Sequence, residues 1–225
     1  MLQAAFHAAG LSGWTYELWD VMPEELPRAV ARLREDGYAG ANVTIPHKLA
    51  VRSLLDEVDL VAEKSRAVNT IVSRGRRLVG MNTDVHGVAA ALRAVGFMSG
   101  TAVVLGRGGS ARAAAVALEG RAVCVVTRDN WDDRGSLARK ADVVINCTPL
   151  GRRNEVILSL DELPRRAVVD LVYVRGGTPL VNTARAAGLK TADGWLVLLE
   201  QGAAAFEAWT GVPAPKEAMR EALAA

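Results

Sequence analysis

The chain has 225 residues, half of them apolar and 23% charged, with 27 basic against 25 acidic side chains. That allows one or two domains and a substantial core, and it gives no basis for a nucleic-acid or anionic-membrane partner. No apolar run reaches the roughly 18 residues of a membrane span, the start has no signal-peptide pattern, and Cys124 and Cys147 are too few for a disulfide framework or metal site. Both cysteines lie in strand-like runs and read as buried, reduced thiols of a cytoplasmic protein.

In chain order, Leu2, Ala5, Phe6 and Ala9 share one stripe and predict a helix over 2–9, with nothing before it to cap the first amides. WTYELWDV (14–21) alternates as a strand does. Pro23 opens a helix from about Glu24 to Glu35, which Gly37 ends. YAGANVTI (38–45) reads as a buried strand running into Pro46, followed by a helix to about Val58 and another over Leu60–Arg66. AVNTIVSRGRRLVGMNTD (67–84) predicts a hairpin around a turn at Arg74–Arg76, and Asp84 starts a helix reaching about Val95.

At Gly100 the pattern changes to a short apolar strand, a glycine-rich turn and an Ala-rich helix. AVCVVT, DVVINCTPLG and AVVDLVY are continuous apolar runs, typical of parallel strands buried on both faces. Only one short helix or loop fits between Asn130 and Lys140, so this half is abbreviated. TPLVNTARAAG is a helix, and two more, near 195–209 and 215–224, end the chain. The fold class is α/β. Residues 1–99, completed by helices of 200–225, form one α/β domain. Residues 100–199 form a Rossmann-like doubly wound domain.

Gly106-Arg107-Gly108-Gly109-Ser110-Ala111 follows a strand and opens a helix, the context in which G-x-G-x-x-G/A binds a dinucleotide. Gly106 permits the tight turn, Gly108 lets backbone approach a pyrophosphate, and the helix-start amides face the phosphates. The alternative is a tight strand–helix turn without a ligand. Arg128, at the end of the next strand after Thr127, suits the extra phosphate of NADP, while the neighbouring Asp129 suits the ribose hydroxyls of NAD; a solvated surface arginine is the plain alternative. In NVTIPHK, Asn42, Thr44 and Lys48 stand where a strand gives way to a helix. Lys48 can anchor an anion or carry a proton, or be an ordinary surface lysine. Asp84 closes Asn82-Thr83-Asp84 as a helix cap or a site residue, with Asn69 and Thr70 on the other strand of the hairpin. Gln201 lies on a mainly apolar helix, as a ligand group or a satisfied helix-face glutamine.

NVTIPHK, AVNT, GMNTD, GRGGSAR, NCTPLG, DLVY with TPL, and LLEQGAAAF come in an order and spacing that resemble the shikimate dehydrogenase family over almost the whole chain. The resemblance implies NADP-dependent, reversible reduction of 3-dehydroshikimate to shikimate, in the route to chorismate and the aromatic amino acids. It implies catalytic roles for Lys48 and Asp84, substrate contacts from Thr44, Asn69, Gln201 and Tyr173, and a cofactor site at Gly106, Gly108, Gly109, Ser110, Thr127 and Arg128. It implies no metal, and a monomer or homodimer. The family opens with a strand and a Ser-x-Ser segment that holds the substrate carboxylate; this chain begins at the helix after them. A cofactor-binding but catalytically weak relative, or a quinate/shikimate enzyme preferring NAD, are the alternatives.

Overall fold

A mixed four-stranded sheet and a parallel five-stranded sheet carry the fold, in a computed structural model that describes residues 1–35 and 37–224. Residues 1–83 and the chain from Leu199 onward form one compact unit; residues 84–198 form the other.

In the first unit, α1 (Leu2–Ala8) buries Leu2, Ala5 and Phe6, the expected stripe. A 3-10 turn, Pro23–Glu25, leads into α2 (Leu26–Arg32). Then come β1 (Gly40–Asn42), β2 (Glu57–Val58), α3 (Leu60–Ser65), β3 (Thr70–Arg74) and β4 (Arg77–Met81). The sheet order is β1-β3-β4-β2, with β2 parallel to β4 and the other pairs antiparallel. The β3–β4 hairpin is the one read from the sequence, in register from Thr70↔Met81 to Arg74↔Arg77. Val68, Ile71 and Leu78 pack with Leu26, Val30, Leu33 and Val51. Asp59 caps α3 by accepting from the Ala62 amide at 2.6 Å.

The second unit runs α4 (Asp84–Ala94), β5 (Thr101–Leu105), α5 (Gly109–Ala117), β6 (Ala122–Val126), α6 (Arg134–Lys140), β7 (Val143–Asn146), β8 (Ala167–Asp170), α7 (Pro179–Ala186) and β9 (Lys190–Ala192). All strands are parallel, in the order β6-β5-β7-β8-β9. From β5 the chain goes outward to β6 and returns to the other side of β5 as β7. The strand order therefore reverses beside the carboxyl end of β5, where doubly wound sheets collect ligands. Alternate residues of the central strands enter two cores: Val104, Ile145 and Val169 on one face, Val103, Leu105, Val144 and Val168 on the other. Finally α8 (Gly194–Thr210) and α9 (Lys216–Ala224) bring Leu199, Ala203, Phe206 and Met219 against Leu2, Ala5 and Phe6 of the first unit.

Several expected elements differ. Residues 14–21 form no strand. The Gln3 side chain takes the Tyr16 amide (3.0 Å) and the Trp14 carbonyl (3.3 Å), and among the described residues no strand pairs with the segment; it lines a cavity of about 790 Å³ together with Tyr38–Thr44. The expected strand 38–45 shrinks to β1, an edge strand with one neighbour, and Ile45 is 79% exposed. The helix expected up to Val58 is a 3-10 turn, Ala50–Leu54, and then β2. There the Asp56 amide donates to Leu78 O (3.1 Å) and its carboxylate accepts from Leu78 N (2.7 Å), so β4 captures the backbone. The helix expected over 24–35 keeps α-geometry only to Arg32; Leu33, Arg34 and Glu35 bond three residues back, a 3-10 ending. Asp36, inside the expected Glu35–Gly37 boundary, lies outside the described residues. β6 is an edge strand with Val125 44% exposed, not buried on both faces.

Two carboxylates tie distant strands and set an acid limb of stability. Arg34 and then the Leu78 amide hold the Asp56 carboxyl below the usual range; the Thr101 amide and then its hydroxyl do the same for Asp142. Their folded values lie below the unfolded one. This stabilisation is therefore complete above about pH 4 and is lost as pH falls through the lowered values. We expect Asp56→Asn and Asp142→Asn each to destabilise at pH 7 and to lose less stability than the parent between pH 7 and 3. Urea unfolding at both pH values measures this, and parental pH slopes would refute it.

Candidate active site

The first unit collects its polar residues where β3 and β4 end together. Just past the Thr70↔Met81 pair stand Asn69, Asn82 and Thr83, buried with Thr70 to 2% exposure or less. Buried amides and hydroxyls must be paired. Asn82 donates to Ser65 Oγ (2.8 Å) and Ala67 O (3.0 Å), locking the chain before the hairpin. The Thr83 amide donates to Asn69 Oδ1 at 2.7 Å, which turns the Asn69 Nδ2 toward Thr83 Oγ1 (3.0 Å) and Gln201 Oε1 (3.3 Å). Two residues 132 apart in sequence, each open to a bland reading alone, thus meet side chain to side chain.

Lys48 is half-buried, and its carbonyl accepts from the Val68 amide at 2.8 Å, which fixes its backbone beside the same strand end. Thr44 is exposed and opens the turn that closes with His47 N–H on Thr44 O (2.8 Å). Asn42 donates to Thr70 Oγ1 (3.2 Å) and Asn69 O (3.4 Å), and accepts from Tyr16 Oη at 3.0 Å. The part played by Tyr16 was not legible in the sequence; its only signal was the alternation of 14–21.

In the second unit, Asp84 is the first residue of α4 and 9% exposed. Gly106 has φ +110°, and its amide donates to Val126 O; a Cβ there would stand 3.3 Å from the Cys147 carbonyl and Thr148 Cγ2. Gly108 is the N-cap of α5 and supplies no side-chain cap, and a Cβ on it would meet nothing within 4 Å. Gly109 and Ser110 form the first turn of α5. The strand end thus opens onto uncapped amides at the head of a nine-residue helix. Arg112, on the same turn, has a buried Nε with no partner among the described residues. A flat, phosphate-bearing dinucleotide fits these features: backbone can approach it closely at Gly106 and Gly108, and cations stand nearby.

Thr127 caps the 3-10 turn after β6 by accepting from the Asp129 amide (3.3 Å). Arg128 is exposed, and Asp129 sits 3.7 Å from the guanidinium of Arg107, both side chains largely exposed. Tyr173 is 43% exposed, with Trp195 at 5.3 Å between ring centroids and the Arg152 guanidinium 5.6 Å from its ring. Behind the glycine turn, Asp170 accepts from Thr178 Oγ1 (2.6 Å), Asn146 Nδ2 (2.9 Å) and Val172 N (3.0 Å); burial nonetheless raises its pKa. Asn146, Asp170 and Thr178 hold the ends of β7 and β8 in place. Both cysteines are free; each residue keeps some exposure, and Cys147 packs against the core around Val104, Ile145 and Val169. Burial, then Asp170 and Asp84, push the Cys147 thiol up, so it stays protonated and unreactive at neutral pH.

Comparison with known proteins follows the same lines. A family model described as the shikimate dehydrogenase substrate binding domain matches residues 1–71, and one described as the shikimate 5'-dehydrogenase C-terminal domain matches residues 194–224. A Symbiobacterium thermophilum protein named shikimate dehydrogenase (NADP(+)) is 39% identical over 99% of this chain and 87% of its own length. That alignment runs over 258 positions against a 225-residue chain, so this chain is the shorter within the matched region. Among solved structures, a Thermus thermophilus shikimate 5-dehydrogenase in complex with NADP(H) and shikimate superposes with TM-score 0.89 at 36% identity, covering 98% of this chain and 91% of that one. A Listeria monocytogenes shikimate 5-dehydrogenase in complex with shikimate and NAD gives 0.86 at 27% identity, covering 99% and 90%. Fold and glycine turn together define an α/β protein of the dinucleotide-binding class. The chain belongs to the shikimate dehydrogenase family.

Proposed function

We propose that the protein is an NADP-dependent shikimate dehydrogenase, reducing 3-dehydroshikimate to shikimate reversibly. The observation that carries this reading is likeness over 99% of the chain to a relative of that name, with every proposed site position inside the matched stretch. The first unit then serves as the substrate-binding domain and the second as the dinucleotide-binding domain.

In this reading the bound cofactor supplies or accepts the hydride. The residues do the rest. Lys48 donates a hydrogen bond to the reacting oxygen, stabilises its developing charge and passes the proton; Asp84 accepts a hydrogen bond from the same hydroxyl. Gln201, Thr44, Asn69 and Tyr173 hold the ring acid. Gly106, Gly108, Gly109 and Ser110 receive the pyrophosphate on backbone amides. Thr127 and Arg128 take the 2′-phosphate, Arg128 by its planar fork. The setting is cytoplasmic, supported by two free cysteines, and the working form is a monomer or homodimer. Among the described residues no helix is long and apolar enough to cross a membrane.

A second reading, preference for NAD, is favoured by Asp129, whose carboxylate beside Arg128 repels a phosphate and accepts from ribose hydroxyls. Following cofactor reduction with shikimate and with quinate, each offered NADP and NAD, separates the readings. Fastest turnover with shikimate and NADP, lost selectively in Arg128→Ala, is expected. Preference for NAD establishes the second reading, and cofactor binding without turnover in all four mixtures overturns both.

A further inference from the structure

A chain of hydrogen bonds enters the strand-end cluster from outside it, and backbone groups fix its direction. Asn69 C=O can only accept, so Asn42, 3.4 Å away, turns its Nδ2 inward and its Oδ1 toward Tyr16. The Tyr16 hydroxyl must then be the donor in that 3.0 Å contact. Burial raises the pKa of Tyr16 and keeps that proton in place. Thr70 Oγ1 receives an Asn42 proton at 3.2 Å, and its own hydrogen goes to Asn69 Oδ1 or Thr83 Oγ1, each at 3.0 Å. At the far end the Thr83 amide can only donate, so Asn69 Oδ1 faces it and Asn69 Nδ2 faces Gln201 Oε1. Gln201 therefore turns its amide oxygen inward and its Nε2, a pure donor, away from the cluster.

We propose that Tyr16, Asn42 and Thr70 are positioning residues that reinforce the amide polarity which the Thr83 N–H imposes on Asn69 and, through it, on Gln201, so that Gln201 meets the ligand as a hydrogen-bond donor. The ligand group opposite Gln201 is then an acceptor oxygen, a hydroxyl lone pair or a carboxylate. A group that can only donate is rejected, because two donors would face each other in a desolvated site. None of the three residues needs to touch the ligand. Their work is to raise further the cost of flipping two amides whose oxygen and nitrogen ends are nearly isosteric.

This rests on the proposed ring-acid site, so the test carries one readout that needs no turnover. Tyr16→Phe removes the outer donor; Thr70→Val, equal in shape, breaks the relay; Thr70→Ser keeps the hydroxyl. In ligand-free protein labelled with nitrogen-15, the side-chain amide resonances of Asn69 and Gln201 should move in Tyr16→Phe and Thr70→Val and stay in Thr70→Ser. In the assay, KM for shikimate should rise about three- to tenfold, the worth of roughly one hydrogen bond, while kcat and KM for NADP stay within about twofold. Tyr16→Phe sits at the outer end of the relay and keeps the fold even where Thr70→Val does not. Unmoved amide resonances in Tyr16→Phe overturn the proposal, as does a fall in kcat with unchanged KM for shikimate. Absence of turnover in the parent protein overturns the ring-acid reading, and the resonances still decide the positioning.

Discussion

Lys48→Ala should lower kcat with shikimate and NADP by about 10²- to 10⁴-fold, the usual worth of a positioned proton-transfer group, or roughly 3–5 kcal/mol of transition-state stabilisation. KM for both substrates should change far less, because the loss falls on charge that develops during reaction. Stability should hardly change: the side chain is half-buried, and the contact that fixes the segment is made by the Lys48 carbonyl with Val68, which alanine retains. Steady-state kinetics with a thermal melt of the same preparation checks this. Parental kcat in a folded Lys48→Ala protein would remove Lys48 from the chemistry. A fall in Tm matching the loss of activity would make it a structural residue.

The second large effect concerns stability. Gly40 in β1 has φ +154°, and a Cβ on it would lie 2.0 Å from Ile71 O and 2.6 Å from Trp209 Nε1. These two atoms are themselves hydrogen-bonded at 2.9 Å, tying α8 to the sheet. The obstacle is the backbone of β3, the strand that pairs with β1, so relief requires breaking that pairing. Gly40→Ala should therefore cost on the order of 4 kcal/mol or more, the range reserved for breaking a core contact that cannot relax. For a chain of this length that is a fall in Tm of about 8–16 °C. Gly75→Ala is the control: φ is +65° and a Cβ meets nothing within 4 Å, so only backbone strain is added, at a cost of about 1 kcal/mol. Equal melting points for the two variants would show that the contact at Gly40 relaxes at no cost. The chain needs a glycine where a tryptophan of the last long helix crosses the sheet.

How much was legible follows from how local each signal is. The β3–β4 hairpin rests on a turn and flanking alternation, and both act within a few residues. The glycine turn after β5 and the buried runs of β7 and β8 are equally local, and they appear as read. The stretch 14–21 shows the opposite case. Its alternation is that of a strand, but a strand exists only when a neighbour takes its amides, and here Gln3 takes one and among the described residues no strand pairs with the rest. Asp56 shows it again: helical local preference yields to a sheet partner, Leu78, 22 residues away.

The site divides in the same way. Lys48, Asp84, Asn69 and the glycines of 106–109 were singled out from the sequence because each sits where an element ends, and Gln201 because it is polar on a mainly apolar helix. The contact of Asn69 with Gln201, the direction in which their amides point, and the recruitment of Tyr16 and Asn42 required the fold. The sequence by itself determined the class of the protein, its two α/β halves and the list of polar residues worth attention, because propensity, periodicity and motif order act over short range. The tertiary structure alone decided which extended segments found partners and which way each buried amide faces, because a buried polar group is satisfied only by whatever group the rest of the chain brings within about 3 Å.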